Sequence, residues 1–469
     1  MSGSIVAQLI SVLSIPIITR IFGAEQFGIF SIVLSIATIL STVYLVGMHL
    51  AILIPKSEIE SIAIIRFILI IGATICVTSL LVIILFYRFI IDVTGLGLDY
   101  IHLLSIPLLA FSLMISSLIS FWGVRVKQYS LTSKSKIIES MTERGGSITL
   151  GFMGHVSSLT LIFFKGFSSI FSIVYFFRIN RLKYQNILLA KKEWPIQRVY
   201  IKYKNYLFYN TPSSILTTFS LQIPLILLGI CFSPLYAGLF AMANRLINIP
   251  GQTLGVAASK LVTQHISEAW INNKVFASER ANAIYTALLP LLLYPFTFLA
   301  IVGDKVTLLF LGENWIETGA IVQVLAILAL TNLLVQSFGG VFDITEQQNK
   351  RLLYHTVNTI VRVFSIIIPS YLGYEFEVTI IIFALTGSLM NIVALGLILS
   401  FVQCSLFSGI KNNINTITSL LIVTCVSYSL NYSIANPLIF ISLVVVLLVV
   451  VFCLFSLKSV ATLARSART

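Results

Sequence analysis

The amino-acid sequence predicts an all-α polytopic membrane protein, and three observations lead there. Hydrophobic residues fill 58% of the 469 positions and charged residues only 10%, against roughly a half and a quarter in soluble domains. Apolar runs of about 18 residues or more recur along the chain, each long enough to cross a bilayer as a helix. Alternation at period two, the mark of a membrane barrel, is absent. Lipid offers backbone groups no hydrogen bonds, so the runs have to be helical.

Read in order, the spans fall near residues 4–19, 26–53, 63–86, 102–122, 137–154, 156–177, 206–230, 235–257, 282–302, 318–341, 352–372, 377–402, 415–433 and 437–457. That makes about fourteen helices joined by short loops. The first span is short, which suggests a clipped N-terminus, and no cleavable signal precedes it. The longest hydrophilic piece runs from Arg178 to Tyr206. The stretch Arg144 to Phe177 reads either as one long helix or as a two-span hairpin. Charge parity favours the hairpin. The loop before it carries Arg125, Lys127, Lys134 and Lys136. The loop after it carries Arg178, Arg181, Lys183, Lys191, Lys192, Arg198, Lys202 and Lys204. Basic loops belong on the cytoplasmic side, and only a hairpin puts both there. The first hairpin helix then has to begin upstream, drawing in Glu139, Glu143 and Arg144, and Lys165 falls near the middle of the next span. Lys260, Lys274, Arg280, Lys350, Arg351, Lys411, Lys458, Arg465 and Arg468 fall on the same side, and both termini are expected to be cytoplasmic.

The net charge of +13 does not indicate nucleic acid, because the basic residues sit in these short loops. Cys76, Cys231, Cys404, Cys425 and Cys453 lie in or beside apolar segments and read as buried thiols rather than metal ligands or disulfides. No Walker, HExxH or C-x-x-C motif occurs, so no cofactor or metal is expected.

A repeat is visible. "IPIITRIFGAEQFGIFSI" resembles "IPLILLGICFSPLYAGLFAM", pairing Pro16 with Pro224 and Gly28 with Gly238. Each copy is a proline-containing helix, a tight turn and a helix carrying a glycine near its start. The offset matches the spacing of span one to span seven, so the two halves are expected to run parallel, with a substrate site at the repeat interface, as in transporters. Spans thirteen and fourteen are then an appendage. The expected domains are a six-helix lobe over 1–180, a basic cytoplasmic linker over 181–205, a second six-helix lobe over 206–402, and two extra helices with a basic tail over 403–469.

Ionisable groups inside a membrane are costly and tend to mark function. Lys165 has apolar neighbours on its own helix; it reads as an anion contact in a water-filled cavity, with snorkelling to an interface or pairing with a glutamate of the preceding helix as the alternatives. Arg144 adjoins Glu143, so local pairing and ligand binding are both open. Asn244, Arg245 and Asn248 share one helical face. His355, Asn358 and Arg362 share another, and Asn332 and Gln336 form an i, i+4 pair. Amides suit sugar hydroxyls and the arginine fork suits phosphate, with interhelical hydrogen bonding as the alternative for each. His49, His155, His265 and His355 are proton-relay candidates in principle. Prolines 16, 107, 212, 224, 250, 290, 295 and 369 read as kinks or hinges.

Several segments resemble the bacterial polysaccharide-biosynthesis flippases, the oligosaccharide–lipid exporters of the multidrug/oligosaccharidyl-lipid/polysaccharide exporter superfamily. They are the start "GSIVAQLISVLSIPIITRIFGAEQFGIFSIVLSIATILS", "AILIPKSE", the stretch Tyr203 to Trp270 and "LFLGENWIETG". Leu311 stands where that family usually has phenylalanine, and His49 where it often has an acid. The resemblance implies two pseudo-symmetric six-helix lobes in a V plus two C-terminal helices. It implies movement of an undecaprenyl-pyrophosphate-linked oligosaccharide, an O-antigen or capsule repeat unit, across the bacterial inner membrane. It also implies a cationic cavity, for which Arg20, Arg144, Lys165, Arg245 and Arg362 are the candidate cations. Asn244, Asn248, Asn332, Gln336 and Asn358 are the candidate sugar contacts. The expected partners are the lipid-linked oligosaccharide, membrane lipids and the polysaccharide polymerase and chain-length machinery. A cation-coupled exporter of the same superfamily would need a buried acidic ion site. A membrane-embedded glycan polymerase or ligase would need a long outer loop bearing acids, arginine or histidine, and the sequence has none.

Overall fold

A computed structural model describes residues 2–180, 192–431, 434 and 436–456. Arg181, Lys183, Lys191, Lys458, Arg465 and Arg468, which carry part of the charge argument, lie outside the described residues. The helices are α1 (Ser2–Leu13), α2 (Ile15–Ile21), α3 (Ala24–Tyr44), α4 (Glu58–Thr94), α5 (Tyr100–Arg125), α6 (Tyr129–Phe152) and α7 (Ser158–Asn180). After the linker come α8 (Ile196–Asn205), α9 (Thr211–Cys231), α10 (Pro234–Asn272), α11 (Lys274–Leu311), α12 (Ile316–Phe338) and α13 (Val341–Ile344). The chain ends with α14 (Gln348–Tyr371), α15 (Phe376–Phe401), α16 (Leu406–Asn412), α17 (Ile414–Asn431) and α18 (Pro437–Val451).

Eleven of the described helical stretches are long and apolar enough to cross a membrane. The remaining predicted spans correspond to α1–α2, a short pair, to α6, whose charged residues lower its hydropathy, and to α10. The two-span hairpin is present as α6 and α7, and α6 does begin upstream, at Tyr129. Hydroxyls inside the spans bond back to their own helix. Ser31 donates to the Phe27 carbonyl at 2.7 Å and Thr307 to that of Gly303 at 2.7 Å, which satisfies them without water.

The chain forms two compact units, Met1–Gly238 and Leu239–Thr469. In the first, α3 packs against α5, α7 and α9. Ser35 donates to Gln222 at 2.9 Å and Thr42 to Thr218 at 3.2 Å, tying α3 to α9. The repeat glycines cross each other. A Cβ on Gly28 would lie 1.7 Å from the Pro234 carbonyl oxygen, and one on Gly238 would lie 2.0 Å from that of Ala24. Pro234 and Ala24 are themselves repeat equivalents, at the same offset as the two glycines, so the contact is reciprocal. Only glycine lets the two helix starts approach this closely.

Polar ties close both ends of this unit. At one end the Asp99 backbone N–H donates to His102 Nδ1 at 3.2 Å, so the His102 Nε2–H faces Ser158 Oγ at 2.8 Å. The Ser158 N–H in turn donates to Gln26 at 2.8 Å. At the other end buried Glu60 accepts from Lys202 and, at 2.7 Å, from the Tyr203 hydroxyl, docking α8 on α4.

In the second unit α12 packs against α11 and α15, and α14 against α15. The appendage packs on α11: Val302, Val423, Phe440 and Val444 form one buried cluster, and the Tyr294 hydroxyl lies 2.8 Å from Ser456 Oγ. α16 is pinned where Ser408 donates to Asn282 at 2.6 Å. Outward faces stay apolar, as on α4 with Leu81, Leu85 and Phe89, which suits acyl chains.

Candidate substrate-binding sites

Two polar clusters lie inside the spans, one in each unit. The first is made by the α6–α7 hairpin. Lys165 reaches back from α7 to α6, with its Nζ 2.9 Å from Glu143 and 3.6 Å from Glu139. Arg144 lies 2.9 Å from the other oxygen of Glu143. Ser116 on α5 donates to Glu139 at 3.2 Å. Two cations and two carboxylates thus gather in one half-dry patch and cancel. Lys165 and Arg144 are therefore countercharged, as the pairing alternative for each has it. Arg144 Nε is buried with no partner among the described residues.

The second cluster is built by α12, α14 and α15. Arg362, 8% exposed, donates to the Asn332 side-chain oxygen at 3.2 Å. The same oxygen accepts from the amide of fully buried Asn391 at 2.9 Å, and that amide also reaches Thr331 at 3.1 Å. The Tyr354 hydroxyl donates to the Asn391 oxygen at 2.8 Å. Every one of these partners is neutral, and among the described residues no carboxylate lies within ion-pair distance of Arg362. Its Nε is buried without a partner, and so is the side-chain oxygen of Asn358 one helical turn earlier. One strong donor and one acceptor are thus left unsatisfied one helical turn apart, on a guanidinium with no carboxylate partner among the described residues and on its neighbour. Such a pair fits an anionic oxygen with a neighbouring hydroxyl.

The other candidates are spread more widely. Arg20 is exposed in the last turn of α2. Asn244 and Arg245 are half-buried on α10, and Asn248 is exposed. Gln336 is exposed on α12 and faces Gly255 of α10. His355 is half-buried beside the Tyr354 ring. His49, in the turn between α3 and α4, meets the Phe121 ring of α5 at a tilt with centroids 4.9 Å apart, and its Nδ1 is buried with no partner among the described residues. Among the predicted residues, the structure brings together Arg144 with Lys165, and Arg362 with Asn332 and Asn358. Sequence reasoning missed Asn391, Tyr354 and Thr331. Asn391 carried a signal: it is the one amide in the apolar run of α15.

A family model described as "Polysaccharide biosynthesis protein" matches residues 17–320. No curated protein matches the chain by sequence. The fold is similar to that of a solved structure titled "Lipid II flippase MurJ, inward closed conformation", with a TM-score of 0.77, 13% identity and 98% of each chain covered. It is also similar to an inward-facing multidrug resistance MATE family transporter of the MOP superfamily. There the TM-score is 0.58 at 12% identity, over 85% of this chain and 95% of that one.

Proposed function

The chain belongs to the polysaccharide biosynthesis protein family, and from that premise we propose that it flips an undecaprenyl-pyrophosphate-linked oligosaccharide, an O-antigen or capsule repeat unit. The direction is from the cytoplasmic to the periplasmic leaflet of the bacterial inner membrane, by alternating access. Family and fold make it a multi-pass membrane transporter rather than an enzyme. Both termini and the basic linker are cytoplasmic, and the polymerase and chain-length machinery receive the product.

Arg362 is the observation that carries this reading. A guanidinium buried among neutral amides retains its charge for an anion, and a pyrophosphate leaving water needs fixed positive charge. Asn332 and Asn358 beside it offer groups for sugar hydroxyls. Arg144 and Lys165 supply further positive charge once their carboxylates are displaced. Arg20, Arg245, Asn244, Asn248 and Gln336 line the remainder of the route.

The test is surface glycan in cells lacking the endogenous protein. Arg362→Ala, at wild-type protein level, should lower it at least about tenfold, the scale of losing one buried charge contact. Arg362→Lys should restore part of it, since an ammonium keeps the charge and loses the fork. Undiminished glycan with Arg362→Ala would overturn the assignment. Flipping of a defined lipid-linked oligosaccharide in proteoliposomes tests the substrate directly.

A further inference from the structure

The direction of the hydrogen bonds around Arg362 is fixed from two sides. An arginine can only donate, so the Asn332 atom 3.2 Å from its guanidinium is the amide oxygen. That oxygen also meets Asn391 at 2.9 Å, and Asn391 has to present its nitrogen there. Thr331 demands the same orientation. Its hydroxyl hydrogen is aimed at the backbone carbonyls of Leu328 and Ile327, at 3.0 and 3.2 Å, so towards Asn391, at 3.1 Å, it can only accept. Both amide hydrogens of Asn391 are then used, and its oxygen accepts from the Tyr354 hydroxyl at 2.8 Å. Asn391 is fully buried. Turning its amide over would set acceptor against acceptor at Asn332 and Thr331, with no water to repair the loss.

Two donors are left over. One is Arg362 Nε, buried with no partner among the described residues. The other is the amide nitrogen of half-buried Asn332, whose oxygen takes both neighbouring donors. These two nitrogens flank the single hydrogen bond that joins the side chains. Tyr354 stands two turns, about 12 Å, from Arg362 along α14, and its hydroxyl is linked to the guanidinium through Asn391 and Asn332. We propose that Tyr354 and Asn391 are positioning residues for an anion site: they hold the Asn332 amide with its oxygen on Arg362 and its nitrogen free, so that Asn332 anchors the guanidinium without neutralising it and supplies a second donor to the pyrophosphate head group. A carboxylate at position 332 would anchor Arg362 equally well and cancel its charge. An amide of the same shape anchors it and leaves the charge available. The inference deepens the flippase reading and rests on it, because it needs an anionic substrate.

Asn332→Asp exchanges the free donor for an acceptor at constant shape. Its thermal midpoint should equal or exceed that of the wild type, because the buried guanidinium gains a partner. Its affinity for farnesyl pyrophosphate, by isothermal titration of the purified full-length protein, should fall at least about tenfold. Tyr354→Phe removes one hydroxyl remote from the anion, and affinity should fall about three- to tenfold, the scale of one hydrogen bond. Binding of farnesol, which has the same chain and no phosphate, should be unchanged in both variants. A parallel loss of farnesol binding would mean general damage and overturns the positioning role. Wild-type affinity for farnesyl pyrophosphate in either variant also overturns it, and the flippase reading stands if Arg362→Ala is still impaired. Wild-type affinity with Arg362→Ala, or no binding to the wild type, overturns both.

Discussion

Glu143 holds two cations at 2.9 Å, and the polar cluster of the first unit depends on it. Replacing it by glutamine leaves Arg144 with no carboxylate and Lys165 with only the more distant Glu139. Breaking a buried pair from one side costs about 3–5 kcal/mol, because the remaining charge stays buried. Glu143→Gln should therefore lower the thermal midpoint in detergent more than any exposed substitution. Adding Arg144→Met should recover part of the loss, since the stranded charge is gone. A double-mutant cycle with additive effects would show that the two side chains do not interact. The partners of Lys165 were only half legible in the sequence. Its own helix is apolar around it, and its acids lie 22 positions upstream and beyond. The register of the α6–α7 hairpin sets that meeting, and a linear spacing does not encode it. Arg362 shows the converse. Its isolation from acids is already legible within its own span, and the structure adds the three neutral neighbours, Asn332, Asn391 and Tyr354, that surround it.

Among the elements, the pair of repeated helix starts gives the sharpest test of packing. Gly28 faces the Pro234 carbonyl and Gly238 faces that of Ala24. Gly28→Ala and Gly238→Ala should each destabilise the fold by about 1–3 kcal/mol, the range for overpacking a tight contact. The two contacts separate the same two helices, so the double variant should cost less than the sum. Thermal midpoints of the three variants decide this, and strict additivity would mean that the crossings act independently. The repeat itself was readable, because proline and glycine recur at matching offsets. That the two copies touch each other was not, since symmetry in sequence does not say which faces meet. Asn391 was missed for a related reason. A single amide in an apolar helix is usually satisfied by a neighbour, and only the fold shows that the neighbours are Asn332 and Tyr354.

For the whole molecule, the hairpin decides the topology of everything after it. With α6 and α7 as two spans the total is fourteen, an even number, and both termini lie on one side. With one span in their place every later loop would change sides. The described basic residues Lys127, Lys202, Lys204, Lys274, Lys350 and Lys411 then collect on a single face, as the positive-inside tendency requires. Alkaline phosphatase inserted after His155 or Glu313 should be active, because both loops are expected outside. Insertions after Lys127, Lys274 or Lys411 should be inactive and should give fluorescence when a cytoplasmic reporter replaces the phosphatase. Activity at Lys274 with none at Glu313 would mean a single span between Arg144 and Phe177. It would also put Glu60 and Lys202, whose contact docks α8 on α4, on opposite sides of the membrane. α4 and α8 flank an even number of crossings only if the hairpin is real, so this ion pair and the charge parity of the loops are two independent readings of the same topology.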